Sequence, residues 1–240
     1  HAHVMGIGIG ALTLDLSDGD GGHVVTRFID VTVTVAAEDA LAWGDEITVN
    51  HHSYYNQVSP AAAQLGDGTI VAVWASYYQD QLNSSADYGI YAQRMTADGT
   101  PVGPEFKVHS VISGDQSDPD VAALADGDFV VVWRSDHGGG VHAIRGQRFN
   151  PDGSPDGAEF VVSSDPSDVR LLPEVSALAD GGFVVGFLAA TGSSSYEVRQ
   201  VIYDAAGAMV GAEQLVSATD VEHTVHPGAS VAGLFGAGGT

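Results

Sequence analysis

The sequence predicts an all-β protein, a β-propeller-like array of four-stranded antiparallel blades that forms either an incomplete ring or a small closed one. Three observations predict it. A unit of about fifty-odd residues recurs along the chain, Asp-Gly pairs punctuate each copy, and no long stretch keeps a helical period. Equivalent prolines fix the spacing: 119 − 60 = 59 and 173 − 119 = 54.

The first half of the unit reads Pro60-Ala-Ala-Ala-Gln-Leu65-Gly-Asp67-Gly68-Thr-Ile-Val-Ala-Val-Trp74. It returns as Pro119-Asp-Val-Ala-Ala-Leu124-Ala-Asp126-Gly127-Asp-Phe-Val-Val-Val-Trp133, and again as Pro173-Glu-Val-Ser-Ala-Leu178-Ala-Asp180-Gly181-Gly-Phe-Val-Val-Gly-Phe187. A first strand leads into an Asp-Gly turn, where positive φ is cheap and a tight hairpin is favoured. The β-branched and aromatic run that follows is too short for a helix and apolar enough for burial on both faces. Trp74, Trp133 and Phe187 share one position and are expected in the core.

The second half runs from Tyr91 through Arg94 and Asp98-Gly99 to Glu105-Phe106, and from Arg145 through Arg148 and Asp152-Gly153 to Glu159-Phe160. Arg199 to Glu213 follows the same plan. Val141–Phe149 alternates apolar and polar residues, as a half-exposed third strand should. Arg94 and Arg148 are expected to pair with the repeated Glu105 and Glu159 between blades. Three clear repeats cover about 51–110, 111–165 and 166–220. Residues 1–50 read as a degenerate blade or an edge-strand segment, and 226–240, beginning at Pro227, as the truncated start of a further blade. With no initiator Met, the chain reads as a processed or partial product.

Charge narrows the partners. Eight Lys and Arg stand against 31 Asp and Glu, a net of −23, and Lys107 is the only lysine. Such a surface repels nucleic acid and anionic lipid, which need cations to replace their counterions. It attracts divalent cations and stays soluble in salt. No apolar run is long enough to insert in a bilayer. With no cysteine, disulfides, thiolate metal sites and cysteine nucleophiles are excluded.

The run Leu-Ala-Asp-Gly-Asp-Phe-Val-Val-Val-Trp, followed by Arg-Gly-Gln-Arg-Phe-Asn-Pro-Asp-Gly and Gly-Ala-Glu-Phe, resembles a tandem repeat of very large secreted bacterial proteins. Those proteins often carry RTX-type calcium-binding repeats and cadherin-like domains elsewhere. The resemblance covers about 45–230 and implies type I export and a role in surface adhesion or a matrix, with other copies or domains of one assembly as partners. The chain lacks the Gly-Gly-x-Gly-x-Asp nonapeptide, so calcium-roll chemistry does not carry over.

Chemistry has few places to sit. Most Asp-Gly residues are explained by their turns. Asp18 with Asp20, Asp118 with Asp120, and Asp126 with Asp128 each put two carboxylates in one loop, half of the oxygen set that Ca²⁺ takes. The His1 amine and the His3 imidazole would chelate Cu²⁺ if His1 is the mature residue. His51, His52, His223 and His226 occupy related loops that a propeller would gather at one end. Tyr54, Tyr55, Tyr77, Tyr78 and Asn83 mix aromatic platforms with polar groups, the composition of a glycan-binding surface. No Gly-x-Ser-x-Gly elbow, phosphate loop or His-Glu-x-x-His is present. The leading expectation is a non-catalytic extracellular binding or assembly module, with a carbohydrate-binding propeller as the alternative and a metal-dependent enzyme third.

Overall fold

The computed structural model describes residues 30–31, 47–52, 54–79, 87–136, 142–164, 169–191 and 195–217. Among them there is no helix. Three four-stranded antiparallel sheets follow one another along the chain. The first holds β3 (Gln57–Gln64), β4 (Ile70–Tyr77), β5 (Tyr88–Met95) and β6 (Phe106–Lys107). The second holds β7 (Gln116–Ala123), β8 (Phe129–Asp136), β9 (His142–Phe149) and β10 (Pro155–Ser164), and the third β11 (Arg170–Ala177), β12 (Phe183–Ala190), β13 (Tyr196–Tyr203) and β14 (Met209–Ser217). Each is a simple meander in sequence order, the form of a propeller blade. A two-residue ladder, β1 (Asp30–Val31) on β2 (Ile47–Thr48), precedes them.

Six hairpin turns repeat one geometry. In the first, Gly68 N–H donates to Leu65 O at 2.9 Å, Leu65 N–H donates to Thr69 O at 2.8 Å, and Gly68 has φ of +85°. The same pair of bonds closes the loops at 96–100, 124–128, 150–154, 178–182 and 204–208. This is a type I turn closed by a left-handed residue, which glycine adopts without a Cβ penalty. In five turns the aspartate before that glycine accepts the amide two residues on, as Asp67 does from Thr69 at 2.8 Å. The sixth has Ala206 there, and Asp204 at the turn's first position caps instead, accepting from Ala206 at 3.0 Å and Ala208 at 2.8 Å.

Each inner strand carries a second shared feature. The residue before the repeated proline has positive φ (Ser59 +52°, Asp118 +51°, Leu172 +47°), and the pairing slips there in all three sheets. A proline cannot donate to the ladder, so it sits at a bulge.

The blades pack face to face with β3, β7 and β11 side by side. Val73, Ile90 and Val108 of the first blade meet Val131, Trp133 and Phe149 of the second, where Phe129 and Phe149 stack at 5.1 Å. Val132, Ile144 and Val162 of the second meet Val185, Phe187 and Tyr203 of the third. The apolar stacking pushes the Tyr203 hydroxyl up to about 12 by burial. Trp74, Trp133 and Phe187 are all buried.

Two expectations are corrected. The third strand is not half-exposed: in β9 Gln147 and Arg148 are buried, and Gln147 Nε2 donates to Arg148 O at 2.7 Å and Gly157 O at 3.2 Å. Nor do Arg94 and Arg148 pair with the repeated glutamates. Arg94 Nη1 donates to Asp152 O and Arg148 Nη1 to Ala205 O, both at 3.0 Å and both on the following blade's turn. Glu159 instead takes Arg145 of its own blade at 2.6 Å and the Ser110 amide of the preceding blade at 2.8 Å. Burial pushes the Glu159 carboxyl up, but bonds from Ser110 and Arg145 outweigh it and hold it below its ordinary value. The reason is strand alternation. Arg94 shares a face with Ala92, which pairs with Phe106, so Glu105 next door lies on the other face.

Candidate functional site

The Asp-Gly turns lie at one end of the blades. The opposite end carries the β4–β5, β8–β9 and β12–β13 connections and the entries to the inner strands. There, one rung of the ladder is Tyr77 against Tyr88 in the first blade, Asp136 against His142 in the second, and Ala190 against Tyr196 in the third. Only the first is aromatic on both sides, and more tyrosines gather on it. Tyr77 and Tyr88 have ring centroids 5.0 Å apart, Tyr55 lies 6.1 Å from Tyr77 and 5.2 Å from Tyr78, and Tyr77 lies 6.4 Å from Tyr78. Tyr54, next to Tyr55 in the chain, has its ring 6.1 Å from that of His52. Tyr54 is 73% exposed, Tyr55 52% and Tyr78 38%.

The backbone holds these rings at a cost. Tyr55 has φ of +67° and Tyr78 of +62°, a region that bulky side chains rarely adopt. By the repeat offset, 55 + 59 = 114, Tyr55 occupies the position of Gly114, whose φ is +75°. The second blade meets this conformation with glycine, and the first meets it with a tyrosine that is half in solvent. Local bonds fix the segment. Tyr77 N–H donates to Asn56 O at 2.9 Å, Tyr78 N–H to Asp87 O at 3.0 Å, and Gln57 Nε2 to Tyr54 O at 3.4 Å. Around the patch, Gln79 Nε2 donates to Glu105, which also accepts the His51 amide at 2.9 Å, and Tyr88 N–H donates to Asp115 Oδ1 at 2.9 Å.

The polar floor of the first blade also departs from its copies. In the second blade Trp133 Nε1 donates to Gln116 Oε1 at 3.0 Å. In the third the pair is exchanged together, with the Arg170 guanidinium 5.8 Å over the Phe187 ring. In the first, Trp74 Nε1 and Gln57 Oε1 are both buried without a hydrogen-bond partner, as are Asn50 Oδ1, His52 Nε2 and Ser76 Oγ. Buried polar groups are ordinarily paired within the fold or by ordered water, so these atoms set the first blade apart from the second.

The structure brings the rings of Tyr55, Tyr77 and Tyr78 together, while Tyr54 makes its ring contact with His52 instead. It adds Tyr88, which the composition of the loop does not reveal. Counting outward from the β4–β5 connection would have placed it opposite Tyr77. Asn83 lies outside the described residues, as do Asp18, Asp20, His1, His3, His223 and His226.

The described carboxylates that the sequence paired as half-sites for Ca²⁺ bond within the fold. Asp126 and Asp128 each accept from Arg148 Nη2 at 3.0 Å. Asp118 accepts from Ser117 Oγ at 3.1 Å. Asp120 Oδ2 accepts the Val175 amide of the next blade at 2.7 Å, and burial pushes its pKa up to about 6. Among the described residues no three His, Asp or Glu side chains converge as a metal site would need.

No protein-family model matches the sequence, and no curated protein matches it. Solved structures do. The chain is similar to a protein of unknown function from Dyadobacter fermentans, at a TM-score of 0.59 and 14% identity over 82% of this chain and 61% of that one. A thermostable family-43 glycoside hydrolase gives a TM-score of 0.49 and 12% identity over 70% of this chain and 56% of that one. A family 117 glycoside hydrolase produced by the marine bacterium Zobellia galactanivorans gives 0.43 and 11% over 71% and 56%. At these identities the likeness is one of fold, and the chain spans about three-fifths of the length of the first of these structures.

Proposed function

We propose that this protein binds carbohydrate without catalysis, through the tyrosine patch at the connection end of its first blade. One observation carries the reading: Tyr55 is kept, half-exposed, in a left-handed conformation where the second copy of the unit has glycine. A repeat that folds with glycine there does not need the ring for folding. Strain retained at an exposed side chain is the pattern of a preorganised binding group.

Sugars suit the patch chemically. A pyranose presents an apolar C–H face to an aromatic ring and a rim of hydroxyls to nearby amides and carboxylates. The exposed rings of Tyr55 and Tyr78 supply the first surface. Gln79, Glu105 and Asp115, bonded to or beside the same segment, supply hydrogen-bonding groups for the second. The setting that belongs with this reading is extracellular, at a bacterial surface or in a matrix, which the resemblance of the repeat implies.

The test uses Tyr55→Gly, which installs the residue of the second copy, together with Tyr78→Ala. Each variant should lose about tenfold or more in retention on a glycan array. The melting temperature of Tyr55→Gly should be unchanged or raised, because the strain is relieved. Full retention by both variants would remove the patch as the binding site.

A further inference from the structure

We infer that the patch recognises a neutral, soluble glycan chain one sugar ring at a time, and rejects both crystalline glycan sheets and uronic-acid or sulfated polymers. This inference rests on the carbohydrate reading above and specifies the substrate class of the same site.

Ring geometry carries the first half. A flat crystalline face is matched by aromatic rings that lie in one plane and are spread along the chain direction. Here the rings turn away from a common plane. Tyr55 meets Tyr78 at 60° and Tyr77 at 76°, Tyr77 meets Tyr78 at 41°, and Tyr77 meets Tyr88 at 52°. All four centroid separations lie between 5.0 and 6.4 Å. Rings so close and so inclined make a corner, wide enough for a single sugar and closed to a sheet. Tyr54, 73% exposed and set apart beside His52, gives a second contact for a chain that bends around the corner.

Charge carries the second half. The carboxylates bonded to the patch segment are Glu105, which accepts from Gln79, and Asp115, which accepts the Tyr88 amide. Among the described residues the cation placed over an aromatic ring is Arg170, on Phe187 in the third blade, and not on any patch tyrosine. A net charge of −23 adds a repulsive field over the whole surface. An acidic glycan approaching this corner meets carboxylates and no guanidinium fork, and the penalty is greatest at low ionic strength.

The test compares three classes of probe on the whole chain and on Tyr55→Gly. These are soluble neutral oligosaccharides (xylo-, cello- and chito-oligosaccharides), microcrystalline cellulose and chitin, and the acidic polymers alginate and polygalacturonate. The expected result is binding of at least one neutral soluble series, weakened about tenfold or more by Tyr55→Gly. Crystalline and acidic probes should bind at least tenfold more weakly, with the acidic deficit shrinking as salt is raised. Tyr55-dependent binding of a crystalline face or an acidic polymer as tight as that of the neutral chains overturns this inference and leaves the carbohydrate reading standing. If no probe of any class binds in a Tyr55-dependent way, the carbohydrate reading itself falls.

Discussion

At Asp120 the chain sets a carboxylate between two inner strands, where Oδ2 accepts the Val175 amide at 2.7 Å and burial raises the pKa to about 6 from an ordinary 3.8. The residue as a whole is half-buried, but its carboxyl end lies at the joint between the second and third blades. A folded-state pKa above the unfolded one means that the native protein binds the proton more tightly. Stability from this group is therefore full below about pH 4 and is lost as the pH rises through 6. Asp120→Asn removes that loss, since the Asn Oδ1 still accepts the Val175 amide. The variant should be more stable than the parent at pH 7.5 by on the order of 1–3 kcal/mol and nearly equal to it at pH 4. Urea unfolding at the two pH values measures this. Equal stability of variant and parent at pH 7.5 would show that the carboxylate is already well solvated. Tyr55 is the contrasting residue: its strain is relieved by glycine only at the expense of the proposed ligand, a trade between stability and function that Asp120 does not make.

Between blades, the elements are joined by two sets of contacts on opposite faces. Glu159 and Glu213 reach back to the Ser110 amide and the Ser163 hydroxyl of the preceding blade, and Arg94 and Arg148 reach forward to the turn of the next. Arg148, buried against Asp126, Asp128 and the Ala205 carbonyl, is the fullest of these. Arg148→Met should destabilise by about 1–3 kcal/mol, the value for a broken buried pair reduced because Asp126 is half in solvent. Adding Asp126→Asn and Asp128→Asn should recover much of the loss, as the stranded charges go. A triple variant no better than Arg148→Met would assign the cost to the lost carbonyl bond instead. Ile202 holds the equivalent position in the third blade, where Gln200 Nε2 bonds Gln214 Oε1 at 2.9 Å, so the scaffold accepts an apolar residue there. Much of this level was legible in the sequence. Repeated Asp-Gly pairs located the hairpins, and repeated Trp, Trp and Phe located the core. The pairing of Arg94 and Arg148 was misread because proximity along the repeat was weighed without strand parity, under which Glu105 and Arg94 face opposite ways. The exchange of Gln116 and Trp133 for Arg170 and Phe187 was written in the alignment of copies but acquires meaning only when the two strands are seen paired. Tyr55 was legible as an aromatic residue in a variable loop. Its positive φ was not, because glycine in one copy shows that a conformation is allowed and does not show that tyrosine is made to adopt it.

Across the whole molecule, 31 carboxylates face 8 Lys and Arg, and 31 − 8 leaves 23 negative charges without a cationic partner. The described arginines add no reserve. Arg145, Arg148, Arg170 and Arg199 already lie against carboxylates, Arg94 bonds a carbonyl, and Arg134 lies 3.2 Å from the His142 ring nitrogen. At Arg199, the hydrogen bonds it donates to Glu197 and then Glu213 raise the guanidinium pKa further. Repulsion among the remainder acts on the folded chain more than on the expanded one, because folding brings the charges together. Screening should therefore stabilise this protein. Between about 10 mM and about 500 mM NaCl, where the Debye length shrinks from about 30 Å to under 10 Å, the melting temperature should rise by about 3–8 °C, worth roughly 1–2 kcal/mol for a chain of this size. Opposing this, salt weakens the exposed ion pairs, but each of those contributes about 1 kcal/mol or less and they are few. General screening predicts the same curve for KCl as for NaCl, and no excess with CaCl₂ at matched ionic strength. An excess with CaCl₂ would mean that carboxylates converge on a cation. A melting temperature that falls with NaCl would mean that arginine–carboxylate pairing outweighs the repulsion, and that the acidic surface is a device for something other than remaining folded and dispersed in salt.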